Sequence, residues 1–393
     1  MRRVIRTDGS NPWANHTIVK RLPAILDQVI TENQLTRRAV QGLTRLKGDL
    51  QEDQPIEMFE SDASDRNNWA DYWAAHNRRV RGTATWQNAE WFFAEHFFYR
   101  TILEIVGYAH SASDPYAAVK KRELHSPELG NRVASVMLNL DLPERLAFSL
   151  WGNQMDQSHR GARSHAGTGS RTHIIADQSA EAIRRLEATE GPVHFVNDNA
   201  GTELVADLIL ADWLLQRGVN VVFHLKAQPT FVSDATVQDC QHAIQWLGET
   251  SPGTPAPTPV DRDQPITRRR MEIAERLSAA IRSARLCLEA DFYWNSPLFI
   301  DDLPARLVTS LGEANLVIVK GDMNYRRHLH DTVVPATEPL SQHASPLPAP
   351  MLFLRTMKGD PIAGLDADTL ATLDRDWPDW RTAGRHAVVQ LVV

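Results

Sequence analysis

The segments able to do chemistry lie in the second half of the chain, each directly after a short apolar run. Asn197-Asp198-Asn199-Ala200-Gly201 follows the first run, and Lys226 with Pro229-Thr230-Phe231-Val232-Ser233-Asp234 follows the second. Glu289 and Asp291 end the third. Lys320-Gly321-Asp322-Met323-Asn324-Tyr325-Arg326-Arg327 follows the fourth, and Arg355-Thr356-Met357-Lys358 the fifth. Carboxylate and amide oxygens suit a hard divalent cation such as Mg²⁺ or Mn²⁺, and three protein ligands leave positions open for water and substrate. Lys and Arg suit an anionic substrate, whose phosphoryl charge they neutralise in the transition state. Each piece alone has an ordinary reading. An Asp-Asn pair between strand and helix is commonly a cap or a turn, and Lys-Gly-Asp or Arg-Thr-x-Lys is common loop text. Their joint occurrence at successive strand ends points to a site.

Those segments need elements to position them. Short apolar runs of strand length occur at 192–196, 220–225, 285–290, 316–319, 351–354 and 386–393, with helical patterns between them at 203–216 and 270–284. Such alternation predicts a largely parallel sheet covered on both faces, with ligands at the carboxyl ends of its strands. Residues 1–150 read as helix throughout, with apolar residues at three-and-four spacing over 19–35, 89–108 and 142–150. Five of the 11 Trp lie there, at Trp13, Trp69, Trp73, Trp86 and Trp91, and their expected work is to fill gaps between helices. The fold class is therefore α/β: a helical N-terminal lobe, 1–165, packed on a three-layer α/β/α core, 166–393, with a central, mostly parallel sheet. A Ser/Gly/His/Arg-rich stretch at 158–171 reads as a loop; its Gly-Thr-Gly-Ser lacks the preceding strand of a phosphate cradle. Pro-rich 251–265 reads as an exposed excursion, and 341–350 as a lead into a strand.

Composition narrows the class. The chain has 393 residues, 42% apolar and 23% charged, with 42 basic against 49 acidic side chains for a net −7. These are globular values. No run approaches the ~18–20 apolar residues of a membrane span. No basic stripe suggests nucleic acid. Two cysteines, Cys240 and Cys287, make neither a disulfide framework nor a cysteine zinc site, so a cytoplasmic location is the expectation.

Asp198-Asn199-Ala-Gly-Thr-Glu203-Leu-Val-Ala-Asp207-Leu-Ile-Leu-Ala-Asp212 resembles the metal motif of the damage-control phosphatases, formerly domain of unknown function 89. Phe231-Val-Ser-Asp234, Lys320-Gly-Asp-Met-Asn-Tyr-Arg326 and Arg355-Thr-Met-Lys358 resemble the subfamily with an RTxK signature. The helical half agrees at Trp91-Phe-Phe-Ala-Glu95-His-Phe-Phe-Tyr99-Arg100, Asp114-Pro115-Tyr116 and Leu150-Trp151-Gly152-Asn153, so the likeness runs from about Thr17 to Lys358. The resemblance implies that Asp198, Asn199 and Asp234 hold a divalent metal ion (Mn²⁺, Co²⁺, Ni²⁺ or Mg²⁺). It implies that Glu203 faces the substrate, that Asp322, Asn324, Tyr325 and Arg326 line its pocket, and that Lys358 meets phosphate. Lys320 and Arg326 are further phosphate candidates, and Glu203 and Asp322 would orient hydroxyls or move protons. Arg355 is either a substrate contact or an anchor on a carboxylate. Asp207 is a support to the site or a solvated helix charge. Glu95 and Arg100 would close over the pocket or join the lobes by a buried ion pair.

The expected function is metal-dependent hydrolysis of a small phosphate monoester, a sugar phosphate or related phosphometabolite, with no nucleic-acid or membrane partner and the oligomeric state open. Two rivals stand beside it. Some eukaryotic members of the subfamily have been described as S-adenosylmethionine-dependent protein-glutamate carboxyl methyltransferases, although a Gly-rich turn after the first strand is missing here. The other is a non-catalytic metabolite-binding protein on the same scaffold.

Overall fold

Two four-to-six-residue apolar runs at the centre of the chain set the architecture. Val193–Val196 and Leu316–Lys320 are buried at every position, which a strand achieves only in a parallel sheet covered on both faces. The computed structural model describes residues 3–139, 141–152, 173–249, 265–343 and 348–393. The expected loop at 158–171, Asn153 and the Pro-rich stretch up to residue 264 lie outside these.

Its strands are, in chain order, β1 (Arg3–Val4), β2 (Ile174–Asp177), β3 (Val193–Val196), β4 (Val221–Lys226), β5 (Leu286–Asp291), β6 (Leu316–Lys320), β7 (Thr332–Val333), β8 (Met351–Thr356) and β9 (Ala387–Val392). Seven form one sheet in the order β2-β9-β8-β6-β3-β4-β5. Strands β8, β6, β3, β4 and β5 run parallel; β9 is antiparallel to β8, and β2 is parallel to β9. From β3 the chain winds through β4 to β5 on one side, while β6 and β8 lie on the other. The switch point is therefore between β3 and β6, and their carboxyl ends flank the crevice where open α/β sheets bind ligands.

The six anticipated strands all form, with ends shifted by at most two residues. β2 was not anticipated: it is a four-residue edge strand, nowhere fully buried. The helical half also departs from expectation at its start. Arg3–Val4 pairs antiparallel with Thr332–Val333 and ties the N-terminus to the core.

Among the described residues, three large apolar clusters and a small one around Ile5, Ala14 and Trp91 fill the molecule. One lies between a face of the sheet and the helices Pro127–Leu138, Leu142–Trp151, Ser179–Glu187, Thr202–Gln216, Val237–Gly248 and Pro265–Arg282. Another covers the opposite face, beneath Ala305–Gly312, Gly321–His328 and Ala367–Asp376. The third belongs to the helices Leu22–Glu32, Arg37–Gln51, Arg66–Val80 and Trp91–Val106, and it also takes in Phe231, Val232 and Met323 from the core. The last of those helices is buried on nearly all sides, which its aromatic sequence WFFAEHFFY dictates. Among the described residues, no helix is long and apolar enough to cross a membrane.

Candidate active site

The loops that follow β3 and β4 are zipped together by backbone hydrogen bonds. Ala200 N donates to Ser233 O at 2.7 Å, Ala235 N donates to Asp198 O at 2.8 Å, and Asn199 and Asp234 face each other as an isolated bridge. This brings Asp198, Asn199 and Asp234 to one place, beside the switch point. The Asn199 amide nitrogen donates to Asp198 Oδ2 at 2.9 Å and to Glu203 Oε2 at 2.8 Å, while its oxygen accepts from Ser233 Oγ at 2.7 Å. Ahead of Asp234, Phe231 and Val232 stand at φ 48° and 69°. A β-branched residue there is strained and persists only where its surroundings impose it. The imposing contacts come from the helical lobe, where Tyr99 and His96 pack on the Phe231 ring at 4.5 and 4.9 Å.

Two glycines permit the close approach. Gly321, at φ +81°, follows β6 with no room for a Cβ beside Asp198. Gly201, at φ +67°, opens the helix Thr202–Gln216, and Glu123 accepts from Thr202 N at 3.0 Å in the space a side chain would fill.

Electrostatics mark the cluster as short of positive charge. Burial, then the like charges of Asp234 and Glu203, hold the Asp198 carboxyl well above the usual range, with Lys226 and Lys358 pulling the other way. Lys226 Nζ lies 3.1 Å from Asp234 Oδ2. Lys226 is a residue the sequence reading left without a role; a single Lys ending a strand carries no motif of its own.

Several expected substrate contacts are engaged within the protein instead. Lys320 is fully buried, 2.9 Å from Asp207 and 3.2 Å from Glu203, and donates to Ser149 O and Oγ. It neutralises two carboxylates rather than presenting itself to phosphate, and Asp207 belongs to that buried group. Arg326 lies 3.6 Å over the Trp91 ring and forks between Asp331, at 2.7 and 3.1 Å, and Glu95 at 2.8 Å. Glu95 thus joins the lobes by a buried ion pair, whereas Arg100 pairs with Asp65 inside the helical lobe. Arg355 donates to Asp322 Oδ1 at 2.8 Å and to the carbonyls of Pro361 and Gly359, making it an anchor. Tyr325 is buried with its hydroxyl 2.9 Å from Gln390 Oε1. Asn324 spans the crevice, donating to Lys320 O at 2.9 Å and to Asn197 O at 3.4 Å.

Asp322 Oδ1 also accepts from the Lys358 backbone at 3.1 Å, and Arg355 and Arg326 outweigh burial to keep this carboxyl below the usual range. The fold therefore holds Lys358 on the same ledge as Asp322, and Lys358 is near enough to Asp198 to act on its charge.

Among the described residues, no three His, Cys, Asp or Glu side chains converge on a point suited to a metal ion. The set at the crevice is two carboxylates and one amide, an incomplete shell of hard oxygen donors that suits Mg²⁺ or Mn²⁺ together with water and substrate. A half-turn of the Asn199 amide exchanges its nitrogen for its oxygen. The unbalanced negative charge around Asp198 fits an added cation.

The chain is similar to known proteins over most of its length. The Damage-control phosphatase ARMT1-like domain matches residues 17–372. The chain is 26% identical to "Damage-control phosphatase ARMT1" of Danio rerio, covering 96% of this chain and 94% of that protein. It is 25% identical to the Homo sapiens protein of the same name, with 96% of each covered. A solved structure from Pyrococcus horikoshii, described as a DUF89 family protein, aligns over 90% of this chain and 95% of its own at a TM-score of 0.44 and 13% identity. The chain belongs to the family of the damage-control phosphatase ARMT1-like domain.

Proposed function

We propose that the chain is a divalent-metal-dependent phosphatase that hydrolyses a small phosphate monoester, a sugar phosphate or related phosphometabolite. Its relatives carry the name phosphatase. The observation that carries the metal dependence is the junction of Asp198, Asn199 and Asp234 at the switch point, with buried negative charge that Lys226 and Lys358 leave incompletely balanced.

In this reading Asp198, Asn199 and Asp234 hold the cation. When bound, Mn²⁺, Co²⁺, Ni²⁺ or Mg²⁺ supplies a Lewis acid for the phosphoryl oxygens. Lys358 binds the phosphate from the ledge it shares with Asp322, where its charge acts on Asp198. Lys320 and Asn199 fix the buried Glu203 beside Asp198, where it orients a hydroxyl or moves a proton. Asp322 keeps Oδ1 on Arg355 and the Lys358 backbone, leaving Oδ2 to orient the substrate.

A panel of phosphate monoesters assayed with each of the four metals tests the reading. Phosphate release is expected from the unmodified chain with metal, and a loss of several orders of magnitude in Asp198→Asn, whose volume is unchanged. A panel silent with all four metals would remove the proposal. Calorimetry with S-adenosylmethionine, with and without Mn²⁺, is expected to show no binding.

A further inference from the structure

The helix Thr202–Gln216 begins without a cap of its own. Gly201 precedes it and has no side chain to accept from the orphan amides of the first turn. The backbone at Gly201 takes φ 67° and ψ −130°, which suits glycine and few other residues. The acceptor comes from 79 positions away: Glu123 Oε1 accepts from Thr202 N at 3.0 Å. Glu123 lies in the helix Ala117–Leu124 of the helical lobe and is 4% exposed. A Cβ on Gly201 would stand 2.6 Å from Glu123 Cδ, so the bare glycine is what admits the carboxylate. The positive end of the helix dipole favours an anion at this place.

The capped turn ends the loop that carries Asp198 and Asn199. Glu203, directly after Thr202, accepts from Asn199 Nδ2 at 2.8 Å, and the same nitrogen donates to Asp198 Oδ2 at 2.9 Å. The lobe helix also reaches the second loop of the site. Lys120, three residues before Glu123 and so on the same helix face, donates to Asp239 Oδ2 at 2.8 Å. That carboxylate caps the helix Val237–Gly248 by accepting from Thr236 N at 2.9 Å, just past Asp234. One face of Ala117–Leu124 therefore grips the starts of both core helices that follow the candidate metal loops.

We infer that Glu123 is a positioning residue: from the helical lobe it caps the Thr202–Gln216 helix, and so sets Glu203 and Asn199 beside Asp198. The cap is independent of the reaction, and only its effect on a bound cation rests on the proposed function. A carboxylate that merely stabilised the fold would leave the geometry of those side chains unchanged when it was lost.

Three variants of the full chain separate these roles. Glu123→Gln keeps an acceptor at the same reach, Glu123→Asp shortens the reach by a methylene, and Glu123→Ala removes the acceptor. In the metal-free protein, hydrogen exchange of the Thr202 amide, read by NMR, is expected to quicken in Glu123→Ala and Glu123→Asp. The factor is on the order of two- to thirtyfold, the range that loss of a helix cap produces. Glu123→Gln should stay near the unmodified rate. The Asn199 side-chain amide signals should move in the Ala and Asp variants and return in Gln. Affinity for Mn²⁺, measured by calorimetry, should follow the same order. Unchanged Thr202 exchange in the Ala and Asp variants overturns the inference. So does faster exchange with the Asn199 signals left in place, since Glu123 would then serve stability alone. If Glu123→Ala does not fold, Glu123→Asp carries the comparison. If the unmodified chain binds no Mn²⁺, the metal-dependent reading falls, and the Thr202 and Asn199 signals still decide this inference.

Discussion

Gly321 presses so closely on Asp198 that a Cβ at its position would stand 1.9 Å from Oδ2 and 2.2 Å from Cγ of the carboxylate. The two residues end neighbouring strands, so this contact sets the width of the crevice at its floor. Gly321 also holds φ +81°, where Ala is disfavoured by about 1 kcal/mol or more before any clash. Gly321→Ala must therefore push Asp198 aside or rotate the helix that begins at this residue. Loss of metal-dependent turnover with a preserved far-UV circular dichroism spectrum is the expected outcome. Full activity in Gly321→Ala would mean that Asp198 does not act from the position seen here.

Arg326 gives a test of lobe docking. It joins Glu95 of the helical lobe to Asp331 of the core, all three side chains being at most 3% exposed. Removing one partner of a buried ion pair costs about 3–5 kcal/mol, because the remaining charges stay buried and unpaired. Lysine keeps the charge but lacks the planar fork, so Arg326→Lys is expected to lose part of this stability in urea titrations. KM for the phosphate ester, measured on the folded protein, should stay unchanged. A large rise in KM with no loss of stability would return Arg326 to the substrate.

Asp207 predicts a pH dependence of stability. Burial, and then Glu203 against the opposing Lys320, raise its carboxyl from 3.8 to about 6. The folded state thus keeps a proton that the unfolded chain has already released. The stability tied to that proton is complete below the unfolded value of 3.8 and is lost as pH rises through about 6. The slope is at most about 1.4 kcal/mol per pH unit for one proton. Asp207→Asn should flatten the Tm profile of the metal-free protein across this window. An identical profile in the variant would show that another group titrates there.

The strands and their terminal motifs were legible because buried parallel strands are uninterrupted apolar runs, and polar residues resume where each run ends. Asp198, Asn199 and Asp234 were grouped only through the resemblance to the damage-control phosphatases; that they follow adjacent strands is what the structure adds. The engagement of the basic residues was not legible. Arg326 meets Glu95 across 231 positions of sequence, and Lys320 meets Ser149 across 171. No local pattern records such pairings, so an Arg or Lys within a loop motif looks the same whether it waits for substrate or locks two elements together. β1 escaped notice for a similar reason, since its two residues are ordered by a partner strand near position 332.

The two lysines nearest Asp198 should separate by function. Lys226 lies against Asp234 and offsets its charge, while Lys358 shares its ledge with Asp322 and Arg355. Lys358→Met removes a charge-assisted contact to phosphate worth about 1.5–3 kcal/mol, on the order of ten- to a hundredfold in phosphate affinity, with metal affinity retained. Lys226→Met removes the cation that competes for Asp234, so metal should bind more tightly while KM for the phosphate ester stays the same. Isothermal titration with Mn²⁺ and inorganic phosphate, run on both variants, measures the two affinities independently. If Lys226→Met loses phosphate and Lys358→Met gains metal, the two lysines exchange roles, and the phosphate lies over the end of β4 instead of beside the Arg355–Lys358 segment.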